Sequence, residues 1–289
     1  MQVLANIVVL TALYALISCG YVLIYRVSRI LNLAHGELML VGAYLLVATA
    51  GLTPANPALV IAIAAGLSIV VGLMVYVFLM RRMTGQSVLA AILTTIALGI
   101  LIRGLVVLIF SAQPLHPAHM LGIENPSIAI GDVRISVMSA TLVIVTAAVY
   151  ATLFLFLLRS RWGMRMRAAG QNPLLAAQRG VNLHIIYALA WAISTFTASM
   201  AGIIVAIDTG LDSTMVLIGL KAFPAALVGG LDSLLGALIG SAIVAASEIL
   251  MIRYVNPLLS DVIPFIILLV MLMVRPWGLF GTREALDRV

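Results

Sequence analysis

Apolar residues run along this chain in long stretches, and the polar residues gather in the short gaps between them. A helix that crosses a bilayer needs roughly 20 apolar residues in succession. Runs of that order cover residues 3–25, 57–80, 86–110, 136–158 and 183–207, and a shorter one covers about 36–50. Residues 216–251 form a longer stretch, broken by Pro224 and then by Gly229-Gly230-Leu-Asp-Ser233. It reads as a half-length segment followed by a full span. The last run, 261–274, is short and stops at Arg275-Pro276. The pattern predicts an all-α, polytopic integral membrane protein. It forms a single transmembrane domain over 1–289, with about eight membrane helices plus a broken or re-entrant segment near 216–232.

Composition strengthens this reading. The chain is 64% hydrophobic and 9% charged, with mean hydropathy +1.22, whereas a soluble domain is about one-quarter charged. No gap is long enough for a separate soluble domain. There is no Gly-x-x-x-x-Gly-Lys-[Ser/Thr] phosphate loop, so ATP hydrolysis by that route is not expected. No Ser-His-Asp order, paired carboxylates or zinc spacing stands in a convincing place, and no enzyme activity is expected. The single Cys19 is expected to be a small buried side chain.

The net charge of +6 is explained by topology and does not call for nucleic acid. Arg26 and Arg29, Arg81 and Arg82, the five arginines of 159–180, and Arg275, Arg283 and Arg288 all fit one side, which is twelve of the 16 Lys and Arg. The loops 111–135 and 208–215 hold Glu124, Asp132, Asp208 and Asp212, with Arg134 as their one cation. Arginine marks the cytoplasmic side, so the N-terminus is expected outside and the C-terminus inside. This holds if 216–251 re-enters or crosses twice. Residues 1–25 lack the basic start of a signal peptide, and Arg26 and Arg29 follow the apolar run.

Four features carry candidate chemistry. The loop from Arg159 to Gly180 has five arginines and no acid, and within it Asn172-Pro173 opens a short helix that Gly180 closes. A helix of two turns does not persist alone in water, so neighbours or a partner must hold it. The segment Asn32-Leu-Ala-His35-Gly-Glu37 places polar groups between two apolar runs. Irregular backbone there must be buried in protein or line a wet cavity, so the segment is either a re-entrant or gating turn near a pathway or an ordinary interfacial turn whose Asn32 and Glu37 bond to nearby backbone. Arg103 and Glu248 lie within spans. Such charges suggest function, although a mutual ion pair that fixes packing is the plainer expectation. His116 and His119 sit in a loop with three prolines; no third ligand is near, and a solvated outer loop is expected.

Small residues recur every four positions at Ser194, Ala198, Gly202 and Ala206 and at Ala237, Ser241 and Ala245, and Gly236-x-x-x-Gly240 joins them. They predict close helix packing. Gly36-Glu-Leu-Met-Leu-Val-Gly42-Ala43 resembles Gly230-Leu-Asp-Ser-Leu-Leu-Gly236-Ala237. Transporters often carry internal repeats with broken helices, but apolar segments also match by chance.

Three segments together resemble one family. They are Leu23-Ile-Tyr-Arg26 through Asn32-Leu-Ala-His-Gly-Glu37 with Gly42-Ala-Tyr44; Arg165-Met-Arg-Ala-Ala-Gly-Gln-Asn-Pro173 through Gly180-Val-Asn182; and Lys221-Ala-Phe-Pro-Ala-Ala-Leu-Val-Gly-Gly-Leu-Asp-Ser233 with Gly236-Ala237 and Glu248. In this order, over essentially the whole chain, they resemble the permeases of branched-chain amino acid ABC transporters, of the LivH/LivM type. The resemblance implies a permease of the cytoplasmic (inner) membrane that moves hydrophobic amino acids by alternating access. It implies a second, homologous permease subunit, two cytoplasmic ATPase subunits and an extracytoplasmic substrate-binding protein as partners in the lipid bilayer. ATP and Mg would be bound by the ATPases, with no cofactor in this chain.

The loop 159–182 would then be the coupling segment, with Arg165, Arg167, Asn172, Pro173, Ala176, Ala177 and Gly180 as coupling residues. Asn32, His35, Glu37 and Asp232 would belong to the substrate pathway. The chain departs from the family where an acid often follows Asn-Pro by two residues; here Leu174 and Leu175 stand instead. Urea, amides and aromatic acids are alternative substrates of the same permease type. A self-sufficient secondary carrier and a membrane scaffold are the competing classes.

Overall fold

The computed structural model describes residues 1–51 and 56–282. Among them, six helices are long and apolar enough to cross a membrane. These are α1 (Gln2–Ser28), α3 (Pro57–Met83), α4 (Val88–Phe110), α5 (Val137–Arg159), α8 (Leu183–Thr209) and α10 (Leu234–Tyr254). Three shorter apolar helices accompany them: α2 (His35–Ala50), α9 (Val216–Gly229) and α11 (Ile263–Val274). Two polar helices, α6 (Arg161–Gln171) and α7 (Pro173–Gln178), fill the basic loop. The stretch 216–251 divides as its glycines foretold, into a half-length helix, a turn at 230–233 and a full span.

Helices α8 and α1 form the centre. Of their most apolar windows 83% and 67% is buried, against 22% for α4 and 28% for α5. The small-residue rows explain how neighbours approach so closely. Ser194, Ala198 and Ala206 are fully buried, and a side chain on Gly202 would strike the Met39 carbonyl. Gly236 and Gly240 do the same for α10, each facing the backbone of α9. Cys19 is buried, as expected, with its Sγ 3.0 Å from the Leu16 carbonyl. Helices α3, α4 and α5 carry large exposed apolar side chains, such as Phe78, Leu108 and Ile144, a surface suited to lipid.

The two ends of the bundle differ. At one end Arg26, Arg29 and Arg167 meet Asp232 around a cavity of about 890 Å³. At the other, the strands β1 (Ser127–Ile130) and β2 (Val133–Ser136) form a hairpin, and Gln2 of α1 bonds to Arg134 within it. The loop 111–135 is therefore more ordered than the solvated loop its sequence predicts. It also holds a short helix, Pro117–Leu121, capped by Gly122, and Leu115 pairs with Leu211 through backbone hydrogen bonds. The His116 and His119 rings stand edge to face, 6.1 Å apart.

Two half-helices begin at mid-height. His35 Nε2 lies 3.1 Å from the carbonyl of Ile17, in the middle of α1, so α2 starts there and runs to the hairpin end. Ser18 donates to the Ala222 carbonyl at 2.9 Å, which puts α9 beside the same part of α1, running to the basic end. Their first turns meet so closely that a Cβ on Gly219 would strike the Cα of Gly36.

Each half-helix follows a 27-residue helix and a linker of equal length: α1, 29–34, α2; and α8, 210–215, α9. The two units run in opposite directions, which is the form of an inverted repeat. The similarity noted between 36–43 and 230–237 does not mark it. Gly36 lies in the first turn of α2, whereas Gly230 sits in the turn after α9 with φ +109°.

Candidate coupling segment and membrane charges

The basic loop is built by local capping. Ser160 ends α5 and accepts from the Gly163 amide at 2.8 Å, opening α6. Met166 and Ala169 turn inward, and a side chain on Gly170 would strike the Arg26 carbonyl at the end of α1. Helix α6 is thereby pressed onto the basic end. The Arg165 guanidinium lies 5.0 Å from the Trp162 ring centre, a stabilising cation–π contact. Arg167 donates to the Leu157 carbonyl. Arg167 thereby ties α6 to the end of α5, whereas the Arg165–Trp162 contact lies within α6 itself.

Asn172 then caps α7 by accepting from the Leu175 amide at 3.0 Å, and Pro173 occupies the first helical position, where its missing N–H costs nothing. Gly180, at φ +83°, ends the turn that follows, as glycine does at helix ends. Ala176 is buried, while Leu174 and Leu175 are 68% and 56% exposed and Ala177 is exposed. The short helix expected from Asn172-Pro173 and Gly180 is present. It shows its apolar residues outward.

The four polar residues expected near a pathway do not form one cluster. His35 is fully buried, with the Tyr21 ring tilted against it at 4.3 Å between centroids and Ser194 Oγ 3.5 Å from Nδ1. Asn32 is buried, and its Oδ1 accepts from the Ala34 amide at 3.1 Å. Its Nδ2 has no hydrogen-bond partner among the described residues. Asp232 lies at the basic end and accepts from the Thr282 amide at 3.0 Å. Glu37, in the first turn of α2, reaches the side of α4 instead.

The membrane charges pair differently from the sequence expectation. Arg103 and Glu248 are not partners. Arg103 donates to Glu37 Oε1 at 3.3 Å. Glu248 is buried and accepts from Lys221 at 2.7 Å and from Tyr14 at 2.6 Å. The reason is helix placement: α4 packs beside α2, whereas α10 packs on α1 and α9. Lys221, which also donates to Asp261 at 2.6 Å, was missed as a membrane charge. Its position three residues before Pro224 in a broken apolar segment was the available signal. Arg283 and Arg288, used in reading orientation, lie outside the described residues.

Comparison with known proteins adds the wider context. A family model described as branched-chain amino acid transport system / permease component matches residues 3–272. The high-affinity branched-chain amino acid transport system permease protein LivH of Salmonella typhimurium is 27% identical, over 98% of this chain and 96% of its own length. BraD, the corresponding permease protein of Pseudomonas aeruginosa, is 28% identical over the same shares. A probable LivH of Methanocaldococcus jannaschii is 25% identical over 97% of this chain and 92% of its own.

Proposed function

The chain belongs to the family of branched-chain amino acid transport permease components, and on that premise we propose that it is a permease subunit of an ATP-driven importer of branched-chain amino acids. It works with a second, homologous permease subunit, two cytoplasmic ATPases and an extracytoplasmic binding protein. ATP and Mg are held by the ATPases. The chain sits in the cytoplasmic membrane with its basic end inside, the N-terminus outside and the C-terminus inside, in keeping with the arginine bias.

The observation that carries this reading is the basic loop. Helix α7 is capped at both ends and pressed to the bundle through α6, and it exposes Leu174, Leu175 and Ala177. A rigid projection with an apolar tip and basic flanks suits the cleft of a cytoplasmic partner. Arg167 ties it to α5, Arg165 braces α6 against Trp162, and Asn172, Pro173, Ala176 and Gly180 shape it. Closure of the ATPases moves α7, and α6 passes the motion to the end of α1. The bundle then changes between outward and inward states, a two-state element biased from a distant site. Asn32 and His35 shape the turn that starts α2, Glu37 faces the pathway, and Asp232 stands at its inner end.

The test is reconstitution. The permease pair, the two ATPases and the binding protein are placed in liposomes with radiolabelled leucine, isoleucine or valine. ATP-dependent uptake that needs all components is expected. Uptake by this chain alone, driven by an ion gradient, would overturn the proposal in favour of a secondary carrier.

A further inference from the structure

Arg103 stands well inside the span Val88–Phe110, yet its side chain is 49% exposed on the outside of the bundle. A guanidinium facing hydrocarbon is costly, so in the working assembly this face meets water or protein. Beside it is a cavity of about 500 Å³, within the range of small-molecule sites. Leu33, Ile96, Ile100 and Val107 form its apolar walls, and Glu37 and Arg103 are its two charges.

We propose that this cavity is a substrate site for a zwitterionic amino acid, in which the ligand's ammonium takes Glu37 and its carboxylate takes Arg103. The inference rests on the reading of the chain as a branched-chain amino acid permease, and it names the side chains that meet the cargo. The pair makes a single 3.3 Å contact, without the bidentate geometry that makes such pairs strong. A ligand that carries both charges replaces the internal contact with two contacts of its own. The net charge of the site remains zero throughout, so no ion is left unpaired in the membrane. The aliphatic side chain of the ligand then lies against the apolar walls.

Two glycines of α4 support the arrangement. A Cβ on Gly99 would lie 3.1 Å from the Glu37 carboxylate, so the carboxylate rests on bare backbone and stays pointed into the cavity. A Cβ on Gly104 meets nothing within 4 Å, so any side chain there enters open space.

The test uses the complete reconstituted importer with Glu37→Gln, Arg103→Gln and Gly104→Leu. Subunit assembly, uptake, and ATP hydrolysis stimulated by the binding protein are measured for each. The expected result is assembled complexes in which all three variants lower leucine, isoleucine and valine uptake at least tenfold while stimulated ATP hydrolysis persists. Gly104→Leu is expected to spare a smaller amino acid such as alanine more than leucine. Normal uptake by the variants beside an active wild type would overturn the site alone. Loss of assembly in all three would also overturn it, by making the pair a subunit contact. A wild type that moves urea or an amide but no amino acid would overturn the functional reading and the site together, because a neutral solute has no use for the pair.

Discussion

Glu248 accepts from two donors, Tyr14 and Lys221, where α1, α9 and α10 meet. Removing one partner of a buried ion pair leaves an uncompensated charge and costs about 3–5 kcal/mol, whereas replacing both is often nearly neutral. Lys221→Met is therefore expected to lower thermal stability in detergent by about 3 kcal/mol, and Lys221→Met with Glu248→Gln to recover most of it. Equal losses in the single and double variants would show that the pair does not hold the helices. Asp261→Asn should cost well under about 1 kcal/mol, since Asp261 is 74% exposed and exposed pairs contribute little. At this scale the sequence was only partly legible. It marked Arg103 and Glu248 as membrane charges, because a charge inside an apolar run is visible in one dimension. It could not choose their partners, because Glu37 and Lys221 come near only through the packing of α2 on α4 and α9 on α10. Asn32 and His35 were marked as unusual for the same reason, but burial beside α1 could not be read from spacing.

Gly180 ends α7 at φ +83°, and its amide donates to the Ala177 carbonyl at 2.9 Å. Proline fixes φ near −65° and has no N–H, so Gly180→Pro removes both the conformation and the bond. The chain should still insert and assemble its spans, because Gly180 is exposed at the end of the loop, while ATP-driven uptake is abolished. Normal uptake by Gly180→Pro would sink the coupling role of this loop. The exposed tip gives a second check: Leu174→Asp with Leu175→Asp should abolish co-purification of the ATPases without lowering the yield of folded permease. A different element is rigid for a packing reason. Gly219→Val would drive a side chain into the backbone of Gly36, and overpacking typically costs about 1–3 kcal/mol. A lower melting temperature is expected, and an unchanged one would refute the close approach of the two half-helices. The elements themselves were largely legible. Apolar runs gave the spans to within a few residues, and the Asn172, Pro173 and Gly180 signals gave α7. The mid-height starts of α2 and α9 were not legible, because a linker that descends into the bundle looks like any polar gap until its burial is known.

The two inverted units bear directly on the orientation argument. The linker 29–34 with α2 leads from the basic end to the hairpin end, and 210–215, whose last three residues form a 3-10 turn, leads with α9 from the hairpin end to the basic end. The described chain accordingly has Gln2 at the hairpin end and reaches Thr282 at the basic end. The broken region 216–251 was the weak point of the arginine argument, because a single passage there would have reversed everything after it. In the structure α9 runs to the basic end and α10 returns, so the arginines near 26, 81, 159–180 and 275 share one face. That arrangement predicts a labelling pattern. The one native thiol, Cys19, is fully buried, which leaves a quiet background for introduced cysteines. Gln113→Cys lies at the hairpin end and Gln86→Cys at the basic end, both at exposed positions. A membrane-impermeant maleimide added to intact cells with a single cytoplasmic membrane exposed is expected to label Gln113→Cys at once, and Gln86→Cys only after permeabilisation. The reverse pattern would turn the molecule over and put α7 out of reach of any cytoplasmic ATPase. Labelling of both from outside would mean that α4 does not span, and the placement of Arg103 within the membrane would fall with it.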